Sequence, residues 1–248
     1  MKGKMLMKAT HLSKRLNRVA EYVSSFGSSP RRLLDIGSDH AYLPVYLTLN
    51  KLIDYAVAGE IAQGPYQSAL SQVSSRDLSS KIEVRLGDGF QVMRDEDNIN
   101  IVTICGMGGG LIQTILGEGY QRLQPNHLLI LQANTGQTGL RSWLKGHAYD
   151  IIAEDLIEDH QHIYEIIVAH DRFNQDGLQD LTAKDLLIGP YNGQNKSPIF
   201  KKYWQGQLNS RQRVIHSMKE AKQKNQSKIA AIQEEIRLIR EVLEDETS

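Results

Sequence analysis

Three acidic residues stand at the ends of successive apolar runs: Asp35 in LLDIGSDHAYLP (33–44), Glu60 in AVAGE (56–60) and Asp88 in RLGDG (85–89). Open α/β sheets bind their ligands outside the carboxyl ends of the strands, so acids in these turns face a ligand. Gly37 opens the first turn, but Ser38, Asp39, His40 and Ala41 follow it, without the further glycines that let a backbone approach a diphosphate. An acid in the middle of a phosphate cradle would repel its ligand. S-adenosyl-L-methionine removes the conflict, because it has no phosphate and carries a sulfonium and an ammonium that Asp35 or Asp39 can attract. Glu60, 25 residues beyond Asp35, suits a ribose diol, and Asp88 could accept from an adenine amino group. Asp and Gly are also ordinary loop residues at such junctions, so it is the succession of three that carries the reading.

The fourth apolar run ends in ICGMGGG (104–110), where glycines remove bulk from the place where a substrate base and a methyl donor must meet. The alternative is a tight turn leading into a helix. Asn-Pro-Pro-aromatic, the clamp for an exocyclic amine, is absent, which argues against methylation of an exocyclic amino group. Cys105 has no neighbouring His-acid pair in sequence and reads as a small strand-end residue, not a nucleophile. His160, His162 and Glu165 lack a further ligand at metal-site spacing and read as hairpin residues, so no metal is expected.

Such turns need a sheet to hold them. Strands are expected at Arg32–Ile36, Tyr55–Gly59, Ile82–Arg85, Ile99–Ile104, His127–Leu131, Ile151–Ile157 and Ile163–Ala169. Helices are expected near Ala41–Asn50, Gly64–Asp77, Gly109–Tyr120 and Gly136–Gly146, with a lead-in helix from Leu12 to Phe26. Repeated β-α alternation implies an α/β fold with a parallel sheet covered on both faces. Only a short turn around Asp159–His162 separates the last two strands, so the final strand should run antiparallel to the rest.

Beyond Asp171 the composition turns polar, with a short helix expected after Thr182, whose spacing to Asp185 is that of a capping box. Trp204, Leu208, Arg211, Ile215 and Met218, and then Ile229, Ile232, Ile236, Ile239 and Leu243, step by threes and fours. The polar stretch KQKNQSK (222–228) between them is where a helical hairpin would turn; a continuous rod that dimerises is the alternative. The hairpin, and with it a monomer, is favoured. Two domains follow: 1–171, holding the donor site, and 172–248, an all-α coiled-coil-like hairpin.

The 248 residues carry 29 basic and 29 acidic side chains, so a nucleic-acid partner must be met by local patches. Between Gln194 and Lys228 one acid, Glu220, faces Lys201, Lys202, Arg211, Arg213, Lys219 and Lys222 among other cations, while Lys14, Arg15 and Arg18 lie on the lead-in helix. These nine are the candidate RNA contacts; a solvated helix face is the alternative. A single cysteine excludes an intramolecular disulfide and fits a reducing compartment. With no run long enough to span a membrane and no clean signal-peptide core, a cytoplasmic protein is expected.

The segments LSKRLNRVAEYV (12–23), LLDIGSDHAYLP (33–44), GE-IAQGPYQSA (59–69), RLGDG (85–89), ICGMGGG (104–110), LILQANTGQTGLRSWL (129–144) and YEIIVAH (164–170) together resemble the bacterial tRNA (adenine-22-N1)-methyltransferases. One departure is Gln132-Ala133-Asn134, where the family pattern has Gln-Pro-Asn. The resemblance implies a Rossmann-like seven-stranded methyltransferase sheet with a C-terminal coiled-coil-like domain, and methyl transfer to N1 of a tRNA adenine. It implies a donor held by Gly37, Ser38, Asp39, His40, Glu60, Ile61, Asp88, Gly89 and the turn Gly106-Met107-Gly108-Gly109. A group near the adenine N6 would stabilise the charge that develops on the base, with Asp39 the first candidate and Asn134 the second. Tyr42 and Tyr66 are candidate platforms for the extruded base. The competing readings are a methyltransferase acting on a small molecule or protein, and a non-catalytic RNA- or protein-binding module on the same fold.

Overall fold

The computed structural model describes residues 11–124, 127–171, 180–220 and 225–245. The chain divides into two compact units, 1–179 and 180–248.

In the first unit, helix α1 (Lys14–Phe26) precedes β1 (Arg32–Ile36), α2 (Tyr42–Leu49), β2 (Tyr55–Glu60), α3 (Gln63–Ser74) and β3 (Ile82–Leu86). Then come β4 (Ile101–Met107), α4 (Gly109–Glu118), β5 (Leu128–Ala133), α5 (Gln137–Gly146), β6 (Tyr149–Asp159) and β7 (His162–Asp171). The strands form one seven-stranded sheet in the order β3-β2-β1-β4-β5-β7-β6. The first five are mutually parallel, and β7 runs antiparallel between β5 and β6. Strand order reverses between β1 and β4, which is where a sheet of this kind opens a crevice.

The central strands are apolar without alternation because helices cover both faces. Leu33, Leu34, Val57, Ala58, Ile101, Val102, Leu129, Ile130, Ile167 and Val168 are all buried. Helix α1 starts at Ser13, whose hydroxyl accepts from the Leu16 N–H at 3.3 Å, and buries Val19, Ala20, Tyr22 and Val23. The hairpin from β6 to β7 turns on His160 and Gln161 alone, with Asp159 opposite His162 and His160 in the left-handed region. It holds the longest strands of the sheet, longer at both ends than the apolar runs suggest, because pairing continues through polar residues once a tight turn sets the register.

A correction applies to the glycine segment. Gly106 and Met107 are not turn residues but the end of β4, where the register shifts at a bulge between Cys105 and Met107. Gly106, at φ +80°, supplies the conformation that a bulge needs.

Beneath the hairpin lies a buried ion cluster. The fully buried Arg141 of α5 donates from Nε to Glu154 of β6 at 2.7 Å and from Nη2 to Glu165 of β7. In the second unit, α6 (Ala183–Ile188) begins with the Thr182/Asp185 capping box, the Thr182 N–H donating to Asp185 at 2.9 Å and the Asp185 N–H to the Thr182 hydroxyl at 3.2 Å. Helices α7 (Pro198–Glu220) and α8 (Gln226–Glu244) follow. Lys196 pairs with Asp245 at 3.5 Å and Arg211 with Glu235 at 2.6 Å, the pattern of two antiparallel helices. Phe200, Trp204 and Leu208 of α7 and Ile229, Ile236, Ile239 and Val242 of α8 are buried.

Two predictions follow from this packing. Arg141→Ala should lower unfolding free energy in a denaturant titration by about 3–5 kcal/mol, because it leaves buried carboxylates without their cation. A Cβ on Gly109 would lie 2.5 Å from the Gly136 carbonyl oxygen and 2.7 Å from that of Thr135, whereas one on Gly110 meets nothing within 4 Å. Gly109→Ala should therefore destabilise by about 1–3 kcal/mol, and Gly110→Ala should leave stability unchanged or raise it by up to about 1 kcal/mol, both read from thermal and denaturant unfolding.

Candidate active site at the crevice between the first and fourth strands

Asp35 is the penultimate residue of β1 and is 3% exposed. Its two oxygens accept from the Ser38 hydroxyl at 2.5 Å and from the Thr103 hydroxyl at 2.6 Å, Thr103 being its register partner on β4. Burial nonetheless pushes the Asp35 carboxyl above the usual carboxylate range, and the two hydroxyls oppose that shift. The sequence leaves Asp35 or Asp39 to attract the donor's positive charge; one Asp35 oxygen is taken by the turn and the other by β4, and Asp39 is the acid with its carboxylate exposed beside the cavity.

The Gly37 and Ser38 N–H groups both donate to the Gly59 carbonyl, at 3.0 and 3.1 Å. Gly37 lies at φ +66°, and a Cβ there would fall 2.2 Å from the Met107 methyl carbon. The three residues after Ser38, namely Asp39, His40 and Ala41, also have positive φ, at 47°, 66° and 56°. Non-glycine residues in that region cost energy, and a run of them persists only where the surroundings hold it. The surroundings here are Glu60, whose carboxylate accepts from the His40 N–H at 3.3 Å, and Gln72, whose side chain donates to the His40 carbonyl at 2.9 Å. Burial raises the Glu60 carboxyl above its ordinary value.

A cavity of about 340 Å³ lies against this turn. Asp35, Gly37, Ser38 and Asp39 line one side, Cys105, Gly106, Met107 and Asn134 another, and Arg15 and Tyr164 also reach it. Of the expected donor contacts, His40, Glu60, Ile61, Asp88, Gly89, Gly108 and Gly109 are outside its wall. Glu60, Ile61 and Asp88 instead stand together at the ends of β2 and β3, where the Gly87 N–H donates to the Glu60 carbonyl at 2.8 Å and Ile61 is 69% exposed. Gly108 precedes α4 and Gly109 packs it against the turn before α5, its N–H donating to the Thr135 carbonyl at 2.6 Å.

Three wall residues or supports escaped the sequence reading as parts of the site. By sequence Arg15 belongs with the candidate cations for RNA, yet its Nη1 donates to the buried Gln132 at 2.5 Å and its guanidinium lies 5.3 Å from the Tyr164 ring centre. Gln132 in turn touches Gly106 and Asn134. Tyr164 carries no local signal; it arrives because β7 inserts beside β5, in a register that sets Glu165 opposite Ala133.

A second groove, of about 830 Å³, shares Arg15 and Leu16 with the cavity and is lined also by Lys14, Tyr42 and His160. Arg18 is held by Glu21 and Asp155, both at 2.7 Å, and Arg211 by Glu235, so neither is the open cation the sequence suggests. Lys201, Lys202, Arg213 and Lys219 are exposed on α7, and Lys222 lies outside the described residues. Tyr66 packs against the core and lines neither space. Burial pushes the Cys105 thiol up to about 12, so it stays protonated at neutral pH. Among the described residues no group of three or more His, Cys, Asp or Glu could hold a metal ion, and no helix is long and apolar enough to cross a membrane.

Comparison with known proteins converges on one family. Residues 33–241 match the family model for tRNA (adenine(22)-N(1))-methyltransferase, TrmK. A Bacillus subtilis tRNA (adenine(22)-N(1))-methyltransferase is 36% identical over 242 residues, covering 96% of this chain and 99% of its own. A crystal structure of a Streptococcus agalactiae protein of the NADB-Rossmann superfamily is 41% identical with a TM-score of 0.82, over 94% of this chain and 97% of its own. Mycoplasma capricolum TrmK, solved with the cofactor product S-adenosyl-homocysteine, is 31% identical with a TM-score of 0.78, over 94% of this chain and 98% of its own. The chain belongs to the tRNA (adenine(22)-N(1))-methyltransferase (TrmK) family.

Proposed function

We infer that this protein transfers a methyl group from S-adenosyl-L-methionine to N1 of adenine 22 in tRNA. The observation that carries the reading is an acid-lined, glycine-bent cavity at the crevice of the sheet, in a chain that matches the TrmK family along most of its length. The fit to the donor rests on the turn itself. The side-chain-free space over Gly37 is taken by Met107, and Asp39 adds to the cavity wall beside it an acid that would repel a diphosphate. A cationic, phosphate-free ligand suits both facts.

Asp39 would face the cationic end of the donor, Glu60 its ribose diol, and Asp88 with Ile61 its adenine. Gly106 would keep side-chain bulk clear of the reacting atoms, and the Met107 side chain would pack against the donor over Gly37. S-adenosyl-L-methionine supplies an electrophilic methyl group: as the N1–methyl bond forms the sulfur–methyl bond breaks, and positive charge passes to the base. Adenine N1 has its lone pair in the ring plane, so no base has to deprotonate it first, and the residues of the cavity act by positioning. An oxygen from Asp39 or Asn134 near N6 would stabilise the charge as it develops. N1 lies on the pairing edge, so the target must be unpaired or extruded. Tyr164, which lines the cavity with Arg15 against it, would support the base, a role for which Tyr66, packed against the core, is less well placed.

The exposed cations of α7 and the groove beside Arg15 would meet the tRNA backbone. The second unit, whose antiparallel helices bury their own seam, supports a monomer. With such a substrate and donor, the protein would work in the cytoplasm.

Incubation with tritiated donor and unmodified tRNA should give label that maps to N1 of adenine 22; no incorporation while the donor still binds would defeat the reading. Glu60→Ala should raise the donor dissociation constant about ten- to hundredfold, the loss of hydrogen bonds to a charged acceptor, and an unchanged value in calorimetry would remove the ribose assignment. Truncation of residues 172–248 should weaken tRNA binding much more than donor binding in paired titrations; equal losses would make the second unit a folding element.

A further inference from the structure

Gln132 lies on β5 and is completely buried. Its Oε1 accepts from Arg15 Nη1 at 2.5 Å and from the Gly106 N–H at 3.0 Å. A guanidinium and a backbone N–H only donate, so chemistry determines which end of this amide is oxygen. Its Nε2 must then find an acceptor, and it meets Asn134 Oδ1 at 3.0 Å. The Asn134 Nδ2 donates in turn to the Gly106 carbonyl at 2.8 Å, a group that only accepts. Three fixed groups, the Arg15 guanidinium and the two backbone groups of Gly106, thus set the orientation of two successive amides. The Asn134 N–H donates to the Met107 carbonyl at 2.8 Å and holds the backbone below.

We propose that Gln132 is a positioning residue that locks the Asn134 amide with its oxygen turned to the cavity, where that oxygen accepts from the 6-amino group of the target adenine. The assignment rests on the reading that a tRNA adenine is the substrate. Asn134 is exposed and lines the cavity, and its Oδ1 has a second lone pair beyond the one that Gln132 occupies. A purine with oxygen at C6 would set acceptor against acceptor there and would carry a proton on N1, so the same contact selects adenine over guanine. As N1 gains the methyl group and the ring becomes cationic, the amine becomes a stronger donor. The bond therefore strengthens toward the transition state and appears in kcat.

The test uses the full-length protein and tRNA transcripts carrying at nucleotide 22 either adenosine or purine riboside, which lacks only the 6-amino group. The intrinsic difference in N1 nucleophilicity between them is common to all enzymes and cancels in the comparison. Asn134→Ala removes the acceptor. Gln132→Glu keeps size and both accepted hydrogen bonds but sets a carboxylate oxygen against the Asn134 oxygen; Gln132→Met, apolar and of similar size, serves if the first does not fold. Each variant should lower kcat on the adenosine transcript about ten- to hundredfold and reduce the preference for adenosine over purine riboside by a similar factor. The dissociation constant for S-adenosyl-homocysteine should stay within about twofold, since none of these contacts is made by the turn after β1. An undiminished preference in Asn134→Ala would overturn the amine contact. A loss in Asn134→Ala with wild-type behaviour in the Gln132 variants would overturn the positioning role. If the unmutated protein methylates neither transcript at nucleotide 22, it is the underlying function that fails.

Discussion

One buried carboxylate ties the ligand-facing edge of this protein together. Asp35, next to last in β1, accepts from the Ser38 hydroxyl in the turn ahead of it and the Thr103 hydroxyl on β4, and lines the cavity. A charge placed so deep is costly, and both oxygens are accordingly given donors. The turn that follows depends on this anchor. Four of the five residues from Gly37 to Ala41 would otherwise relax: Gly37 and then Asp39, His40 and Ala41 are all left-handed, with Ser38 clamped between them by Asp35 and the Gly59 carbonyl. Glu60 of β2 and Gln72 of α3 grip the backbone of His40. The same geometry that projects Asp39 over the cavity leaves no smooth run of N–H groups for phosphate oxygens.

The opposite wall is governed by amides rather than by charge. β4 is prolonged past Cys105 by a bulge, and Gln132 and Asn134 of the next strand and turn read its two Gly106 backbone groups. Arg15 from α1 completes this network from outside the sheet. The cavity therefore joins an acid-bearing wall to a wall of oriented amide groups, and Tyr164 also lines it.

Much of the scaffold was legible before any coordinates. The apolar runs of the five parallel strands stand out because they are buried on both faces, and the turn at His160 and Gln161 is short enough to force an antiparallel pair. The Thr182 and Asp185 capping box is a local signal and is found as a local structure. The acids Asp35, Asp39, Glu60 and Asp88 were visible because strand ends are. What escaped was everything that depends on register between distant segments. Arg15 looks like one more cation of a helix, since nothing nearby says that Gln132, 117 positions away, waits for it. Arg18 and Arg211 look open for the same reason, although Asp155 and Glu235 hold them. Gln132 sits inside an otherwise apolar strand and Tyr164 near the start of β7, where a side chain gains meaning only once its face of the sheet is known.

The central claim is that the turn after β1 is built for a cationic donor without phosphate. Calorimetric titration of the purified protein with S-adenosyl-L-methionine and, separately, with NAD tests it directly. The account predicts saturable binding of the first, weakened about tenfold or more when Asp39 is replaced by asparagine because a charged partner is lost, and no binding of the second. Comparable affinity for NAD, or an Asp39→Asn variant that binds the donor as well as the unmutated protein does, would contradict it.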